Sequence, residues 1–405
     1  MAGNGLRKEV RQRLYGFAQR VARWVSDSRR QRFLKEMIVG LVVSGHVHLT
    51  KIARSLRSGA NNVHAEEKRL SRHLDSEHWS MRPVIDGLLD WSSGMVSEET
   101  LIVADLTDVA KYYARHLEGL GRVRDGSDPE KRTAPGYMLF EAYVRVRRWQ
   151  LFPLVIEPLR TYSGAPTSEN EEILAHFWRI HEAVGKKGTW VLDRGFDRRE
   201  LMVPMLRRGM AWIVRQRGDR HIVTAGGRQL AVEARAAEIY QRQRPSLWPR
   251  AGWTYTEAVT LPEAPDHELL MVLRWRIPEA TPLMLLVSPE ARKLGRGGTW
   301  FVKAYRRRWG VEDATWGIKQ RFHLEDFLVR SWRSIRRLVS LVAIAFFWLN
   351  LWGEDRYEHL REAFVRHPWR IPKKVIYLFD WLAAQISRFL HPRPKISPID
   401  SFDTG

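Results

Sequence analysis

Apolar positions recur at helical spacing over the first quarter of the chain and at strand spacing only beyond it. Arg7 to about Ser97 predicts helices, with polar turns at Ser26-Asp27-Ser28 and at 58–62. Leu49-Thr50 opens a short helix and His64 to His73 forms a second, on which Leu70 and Leu74 share an inward face. A short apolar run, LIVAD, then ends at Asp105. Gly136 to Arg160 is extended in pattern (YMLFEAYVRV, then WQLFPLVIEPL). Glu169 to Val184 predicts an amphipathic helix, Trp190-Val191-Leu192 a buried strand ending at Asp193, Arg198 to Arg208 a helix, and Ala211 to Val214 a strand. Strands alternating with helices predict a mixed α/β sheet. From 216 to 290 short extended pieces (HIVTA, RQLAVEA, WTYTEAVTL, ELLMVLRW, PLMLLVS) alternate with Gly, Pro and Asp turns, which predicts a β-rich insertion. TWFVKAYRRRWGVEDATWGIKQ then reads as a single helix, with Thr299 as N-cap behind Gly297-Gly298. Leu338 to Trp352 reads as a buried apolar helix, Lys374 to Leu390 as a C-terminal one, and the residues from Pro392 as a loose tail.

Composition narrows the chemistry. The 405 residues include no cysteine, which excludes disulfides, thiolate zinc sites and cysteine nucleophiles. Lys+Arg 67 against Asp+Glu 46 gives a net charge of +21, spread along the chain. That balance points to a polyanion, nucleic acid first, with a basic proteome as the plain alternative. Eighteen tryptophans supply parts for stacking on unpaired bases as well as for core. Met1 to Arg20 is charged and lacks an apolar core, and the run at 338–352 is broken by Ser340 and Asn350. A soluble protein of the bacterial cytoplasm, associated with the nucleoid and not with membrane, is expected. No phosphate loop or nucleophile elbow is present, and no histidine pair has zinc-binding i,i+4 spacing, so no zinc site is expected.

On the 299–319 helix, Tyr305, Arg308, Glu312, Trp316 and Lys319 fall on one face. A packing stripe would carry Leu, Ile or Val; this one sets a single acid among cations and aromatics, which suits a metal ion and a phosphodiester. Asp105 and Asp193 stand at strand ends, where an α/β sheet gathers its site, and a helix crossing that edge can add a third acid. Three neighbouring carboxylates repel unless a cation holds them, and all-oxygen ligands select Mg²⁺ or Mn²⁺.

The helix matches the Y-x2-R-x3-E-x6-K signature of the insertion-sequence-4 superfamily of DDE transposases. VLDRGF around Asp193 resembles that family's second-acid motif, and ADLTDVAK around Asp105 its first. The order Asp, Asp, β-rich insertion, Glu is similar to the family layout, so the resemblance spans roughly residues 95 to 335. It implies an RNase H-like core on which Asp105, Asp193 and Glu312 form a catalytic, metal-binding triad for Mg²⁺ or Mn²⁺. It also implies that Tyr305, Arg308 and Lys319 hold phosphates of double-stranded transposon-end DNA. Cut-and-paste transposition is the implied activity: nicking, a hairpin step and joining to target DNA, by a homodimer at two synapsed ends. An RNase H-like nuclease that does not join, or a silent DNA-binding derivative, are the alternatives. The expected organisation is a helical DNA-binding region (1–97), the core's first part (98–215), the insertion (216–290), the core's second part (291–350) and a helical C-terminal region (351–405).

Several positions keep two readings. Lys68, Arg69 and Arg72, on the second helix of a helix-turn-helix-like pair, read either as a DNA-contacting face or as the solvated face of a bundle. Asp108, Asp197 and Asp313 are neighbours of the three chosen acids; Asp197 fits an N-cap for the next helix. Glu312 with Arg308 also makes an ordinary i,i+4 pair. Arg194 reaches a phosphate or braces the site, and Trp190 packs in the core. In hairpin-forming relatives an insertion aromatic stacks on a flipped base, a role open to Trp248 or Trp253, with a buried strand tryptophan as the rival reading. Trp316 belongs to no motif and reads as an anchor of its helix to the sheet.

Overall fold

Five helices come first, as the apolar spacing predicts: α1 (Ala2–Ala22), α2 (Ser28–Ser44), α3 (Leu49–Ser55), α4 (Val63–Asp75) and α5 (Arg82–Ser93). The computed structural model describes residues 2–56, 62–124, 128, 130, 132–147, 150–162, 164–243, 252–276, 281–352, 386 and 390. Most of the C-terminal helix expected at 374–390 lies outside these residues, as does Trp248. Local chemistry fixes the helix starts. The Asp27 carboxylate accepts from the Arg30 amide at α2, and the Asn62 side chain accepts from the His64 and Ala65 amides at α4.

The sheet begins with β1 (Leu101–Ala110), β2 (Gly121–Arg124), β3 (Thr133–Arg147) and β4 (Gln150–Leu159). It continues, with α6 (Glu169–Ala183) and α7 (Arg199–Arg207) between strands, through β5 (Thr189–Leu192) and β6 (Trp212–Arg215). β3 pairs antiparallel with β1 on one side and with β2 and β4 on the other, and the order continues through β1, β5 and β6, which run parallel. This is the mixed α/β sheet that the alternating strands and helices predict. Pro153 and Pro158 lie in β4, which pairs only with β3, because an edge strand tolerates a missing backbone donor. β1 does not stop at Asp105. It runs on to Ala110 because β3 keeps pairing with it, while β5 pairs only as far as Ala104.

The insertion contains β7 (His221–Thr224), β8 (Gln229–Ala231), α8 (Val232–Arg242), β9 (Trp253–Leu261), β10 (Ala264–Trp275) and β11 (Leu283–Val287). β11 pairs antiparallel with β6, so the insertion extends the core's own sheet. The segment RQLAVEA is extended only over its first half. Beyond Ala231 the apolar residues Val232, Ala236 and Ile239 are buried at helical spacing and draw the chain into α8. Then follow α9 (Pro289–Arg292), α10 (Gly298–Arg307), α11 (Gly310–Phe322) and α12 (Trp332–Leu351).

Strand alternation divides the core. Ile102, Ala104, Phe140, Ala142 and Leu192 pack with Phe177 of α6 and Leu201 of α7 on one face. Val103, Leu139 and Tyr143 pack with α11, α12 and the N-terminal helices on the other, where Leu101, Val191 and Ile213 meet Phe301 and Tyr305 of α10. Asp105, Glu141 and Asp193 continue the second parity and so belong to the face that α10 and α11 cover.

By length and composition α12 could cross a membrane, but 94% of its most apolar window is buried inside the protein. It packs on β4, α2 and α4. Its Arg337 is buried and donates to the carbonyls of His73 (3.3 Å), Leu74 (2.6 Å), Ser76 (2.9 Å) and Trp79 (2.6 Å). The His73 and Leu74 carbonyls are acceptors that the end of α4 leaves without helical partners, and those of Ser76 and Trp79 belong to the segment that follows. Arg337→Met should cost about 2–4 kcal/mol, since it strips several buried carbonyls at once. Urea unfolding of the variant measures this, and an unchanged midpoint would count against the clamp.

Candidate active site

The register of β1 on β5 matches Leu101 with Thr189 and Ala104 with Leu192, so its next step sets Asp105 beside Asp193. Neighbouring strands lie about 4.8 Å apart, and the two acids share a sheet face. On the other side of β1, Asp105 is paired directly with Glu141 of β3. Three adjacent strands thus carry three acids in a row.

Above them the chain departs from a single helix. α10 starts behind Gly297, without a side-chain cap from Thr299, and ends at Arg307; α11 starts at Gly310. Between them Arg308, Trp309, Val311 and Glu312 donate to the carbonyls of Tyr305, Arg306, Arg308 and Trp309, each three residues back. Three-residue turns advance about 20° per residue more than an α-helix, roughly 80° over four residues. Two features favour the break. Arg145 of β3 donates to the Arg307 carbonyl and so caps α10. Gly310 lies so close to that guanidinium that a Cβ would meet its Nη1 at 2.7 Å. The five stripe residues are therefore split between environments: Tyr305 and Arg308 are buried, Lys319 nearly so, and Glu312 and Trp316 are exposed.

Arg308, 3% exposed at its side chain, holds the three acids. Its guanidinium lies 3.3 Å from Asp105 Oδ2, 3.5 Å from Asp193 Oδ2 and 2.9 Å from Glu312 Oε1. That geometry gives Arg308 the acids as its partners, and not the DNA phosphate that the resemblance implies. The ordinary i,i+4 pair with Glu312 is present, but it is one of three contacts. Burial, reinforced by the neighbouring Asp193 charge, pushes the Asp105 carboxyl up to about 7 although Arg308 pulls it down. Tyr305 is 3% exposed, packs under α10 with its ring 5.7 Å from the Arg308 carbon, and has no partner for its hydroxyl among the described residues.

Glu141 has no counterpart in the sequence reading. The signal was an acid at the centre of an apolar strand, FEAYV. Burial raises its pKa, and Thr315 (2.6 Å) and Tyr143 (2.9 Å) donate their hydroxyls to its Oε2. Because Thr315 is one turn beyond Glu312, Glu141 docks the start of α11 on the sheet. Glu141→Gln retains an acceptor for both hydroxyls and should melt close to the wild type. Glu141→Ala should cost about 1–3 kcal/mol for each hydroxyl left unpartnered. Denaturant melts of the two variants compare these outcomes, and equal losses would argue against the docking role.

The remaining expected residues are dispersed. Lys319 lies 3.4 Å from Asp108 and 3.1 Å from Glu325; these carboxylates hold its ammonium above its ordinary pKa against the effect of burial. Asp197 does not cap α7. It is buried, accepts from the Arg217 amide (2.8 Å) and pairs with Arg220 (2.8 Å), because α7 begins one residue later and the loop after β6 folds over it. Arg194 is exposed next to Asp193. Trp190 is fully buried against Phe177, and Trp253 stacks on Trp275 at 5.5 Å. On α4, Lys68 and Arg72 are exposed, whereas Arg69 is committed to Glu36 and Glu66 and ties α4 to α2. Trp316 is not an anchor: it is 42% exposed and, with Trp309 at 66%, lines a groove of about 1060 Å³. Arg145, Arg306, Arg307, Glu312 and Asp313 share that groove.

The donor chemistry suits a hard divalent cation; in this structure Asp105, Asp193 and Glu312 are gathered around the Arg308 guanidinium and not within coordinating distance of one another. Every donor is a carboxylate oxygen, and Asp193 Oδ1 is buried with no hydrogen-bond partner among the described residues. Above the Asp105 pKa of about 7, three carboxylates and one guanidinium leave two negative charges, the complement of one divalent ion.

Residues 165–348 match the family described as "Transposase DDE domain". The stretch is similar to such a domain and contains Asp193 and Glu312; Asp105 lies outside it. A solved structure described as the cryo-EM structure of piggyBac transposase synaptic complex with hairpin DNA is similar at 12% identity and a TM-score of 0.45. The alignment covers 98% of this chain and 85% of that one. No curated protein sequence matches the chain.

Proposed function

We propose that this protein is a metal-dependent DNA transposase of cut-and-paste type. The observation that carries the reading is the meeting of Asp105, Asp193 and Glu312 on the buried Arg308 guanidinium, from two neighbouring parallel strands and the helix above them. The match of residues 165–348 to a transposase DDE domain supports it.

Asp105, Asp193 and Glu312 would hold Mg²⁺ or Mn²⁺. When bound, such ions supply Lewis acidity at the phosphoryl oxygens and activate the attacking water or 3′-hydroxyl. Asp105 and Asp193, fixed by the sheet, set the position of the scissile phosphate. Glu312 is tied only through Arg308 and closes from the helix side. Arg308 offsets part of the acids' repulsion and keeps them convergent when no ion is present. Arg145, Arg306 and Arg307 track the DNA backbone in the groove next to Glu312, where Trp309 and Trp316 offer faces for an unstacked base. Hairpin formation, joining to target DNA and action as a homodimer at paired ends complete the reading.

The test is incubation of the purified protein with labelled DNA carrying the flanks of its own reading frame, with Mg²⁺, Mn²⁺ or Ca²⁺. Nicked, hairpin and joined products are expected with Mg²⁺ and Mn²⁺. Cutting without joining would reduce the reading to a nuclease, and binding without cutting would reduce it to a DNA-binding protein.

A further inference from the structure

On the far side of α11, the fold brings together His46, His48 and Asp326 with their ligating atoms all within 4.8 Å of one another. His323 packs beside them. Its ring stacks on His46 at 4.4 Å, and its Nδ1 lies 3.5 Å from Asp326 Oδ2. His46 Nε2 lies 3.6 Å from the same oxygen, and His48 Nε2 is 2.7 Å from the Asp326 carbonyl. We propose that His46, His48 and Asp326 form a transition-metal site, taking Zn²⁺ or a similar borderline ion with water in the fourth position, which fastens the N-terminal helices to the helix bearing Glu312.

The donor set selects the ion. Imidazole nitrogen with a single carboxylate suits Zn²⁺, Co²⁺ or Ni²⁺, whereas Mg²⁺ prefers oxygen alone. At Zn–N and Zn–O distances near 2.1 Å, tetrahedral ligand atoms lie about 3.4 Å apart. The observed 3.6 Å between His46 Nε2 and Asp326 Oδ2 needs little adjustment.

The backbone holds the ligands before any ion arrives. Gly45 ends α2 in the left-handed region at φ 60 and turns the chain toward His46. The Val47 amide donates to the Phe322 carbonyl at 2.9 Å, which locks the His46–His48 loop to the end of α11. His323 itself adopts φ 51, where a non-glycine residue is uncommon, and this presents its ring to His46. His46 is buried, while Asp326 and His323 are about half exposed and leave an entry path.

One bond changes on loading. The His48 amide donates to His46 Nδ1 at 3.1 Å, which puts the neutral ring's proton on Nε2, toward Asp326. Ligation through Nε2 moves that proton to Nδ1, and the hydrogen bond from the His48 amide is lost. His-x-His at 46–48 was the signal in the sequence. It is only part of a site, and Asp326 lies far along the chain.

The experiment uses the full chain, stripped with a chelator and titrated with Co²⁺ and then Zn²⁺. One Co²⁺ per chain with visible absorption of a four-coordinate nitrogen–oxygen site, displaced by Zn²⁺, is expected, together with a Zn²⁺-dependent rise in melting temperature. His48→Ala should weaken Zn²⁺ binding by more than about tenfold and abolish the absorption, as should Asp326→Asn. Asp193→Ala should leave both intact, which separates this site from the acidic one. Wild-type protein that shows no saturable Co²⁺ band, or variants that bind as the wild type does, would overturn the proposal.

Discussion

Asp193→Ala should abolish Mg²⁺-dependent cleavage of a transposon end, by about a thousandfold or more. Losing one metal-holding carboxylate removes several kcal/mol of transition-state stabilisation, and each 1.4 kcal/mol is a factor of about ten. Asp105→Ala and Glu312→Ala should do the same. Binding of the DNA end should be kept or tightened, because each change removes a negative charge facing a polyanion. Strand nicking and gel-shift titration on the same preparations separate the two effects. Cleavage retained by one variant would remove that acid from the site. Cleavage retained by all three would sink the proposed function.

The second large effect is expected at Arg308, which is buried under three acids. Arg308→Ala should destabilise the metal-free protein by about 3–5 kcal/mol at pH 8, the usual result of removing one partner from a buried charge cluster. Mg²⁺ should restore part of the loss, since the ion replaces the missing positive charge. The pH dependence has a definite sign. Asp105 sits at about 7 in the folded protein, against roughly 3.9 in an unfolded chain. Its contribution to stability is therefore full below about pH 4 and is lost as pH rises through 7. Without Arg308 that loss should grow, because the guanidinium lowers the Asp105 pKa. Melting curves from pH 4 to 8, with and without Mg²⁺, test this. Mg²⁺ should raise the midpoint more at pH 8 than at pH 5, as it binds the ionised carboxylates. A variant as stable as the wild type across this range would show that the three contacts carry little energy.

The same cluster shows where pattern reading reaches its limit. The unbroken apolar run placed β5 correctly, with Asp193 just past its end, because a strand covered on both faces needs such a run. The same logic ended β1 at Asp105, five residues early, because pairing with β3 sustains the strand past the polar residue. The helical stripe from Tyr305 to Lys319 identified the residues but assumed one continuous helix. Arg145 and Gly310, whose contact spans two separate elements, break it. Glu141 is marked locally only by its place in an apolar strand, FEAYV, and its docking role appears only where Thr315 of α11 packs against it.

What the sequence determined by itself was the residue chemistry and most of the element order. Helices first, then strands alternating with helices, three separated acids and a basic chain all follow from composition and from periods of 2 and 3.6 residues, which depend only on near neighbours. Tertiary structure decided what those residues face. The β1–β5 register set Asp105 beside Asp193, the break after α10 turned Arg308 onto the acids, and the contact of the His46–His48 loop with the end of α11 assembled the histidine cluster. Each of these joins residues dozens to hundreds of positions apart, and such proximity is a property of packing that no local pattern encodes.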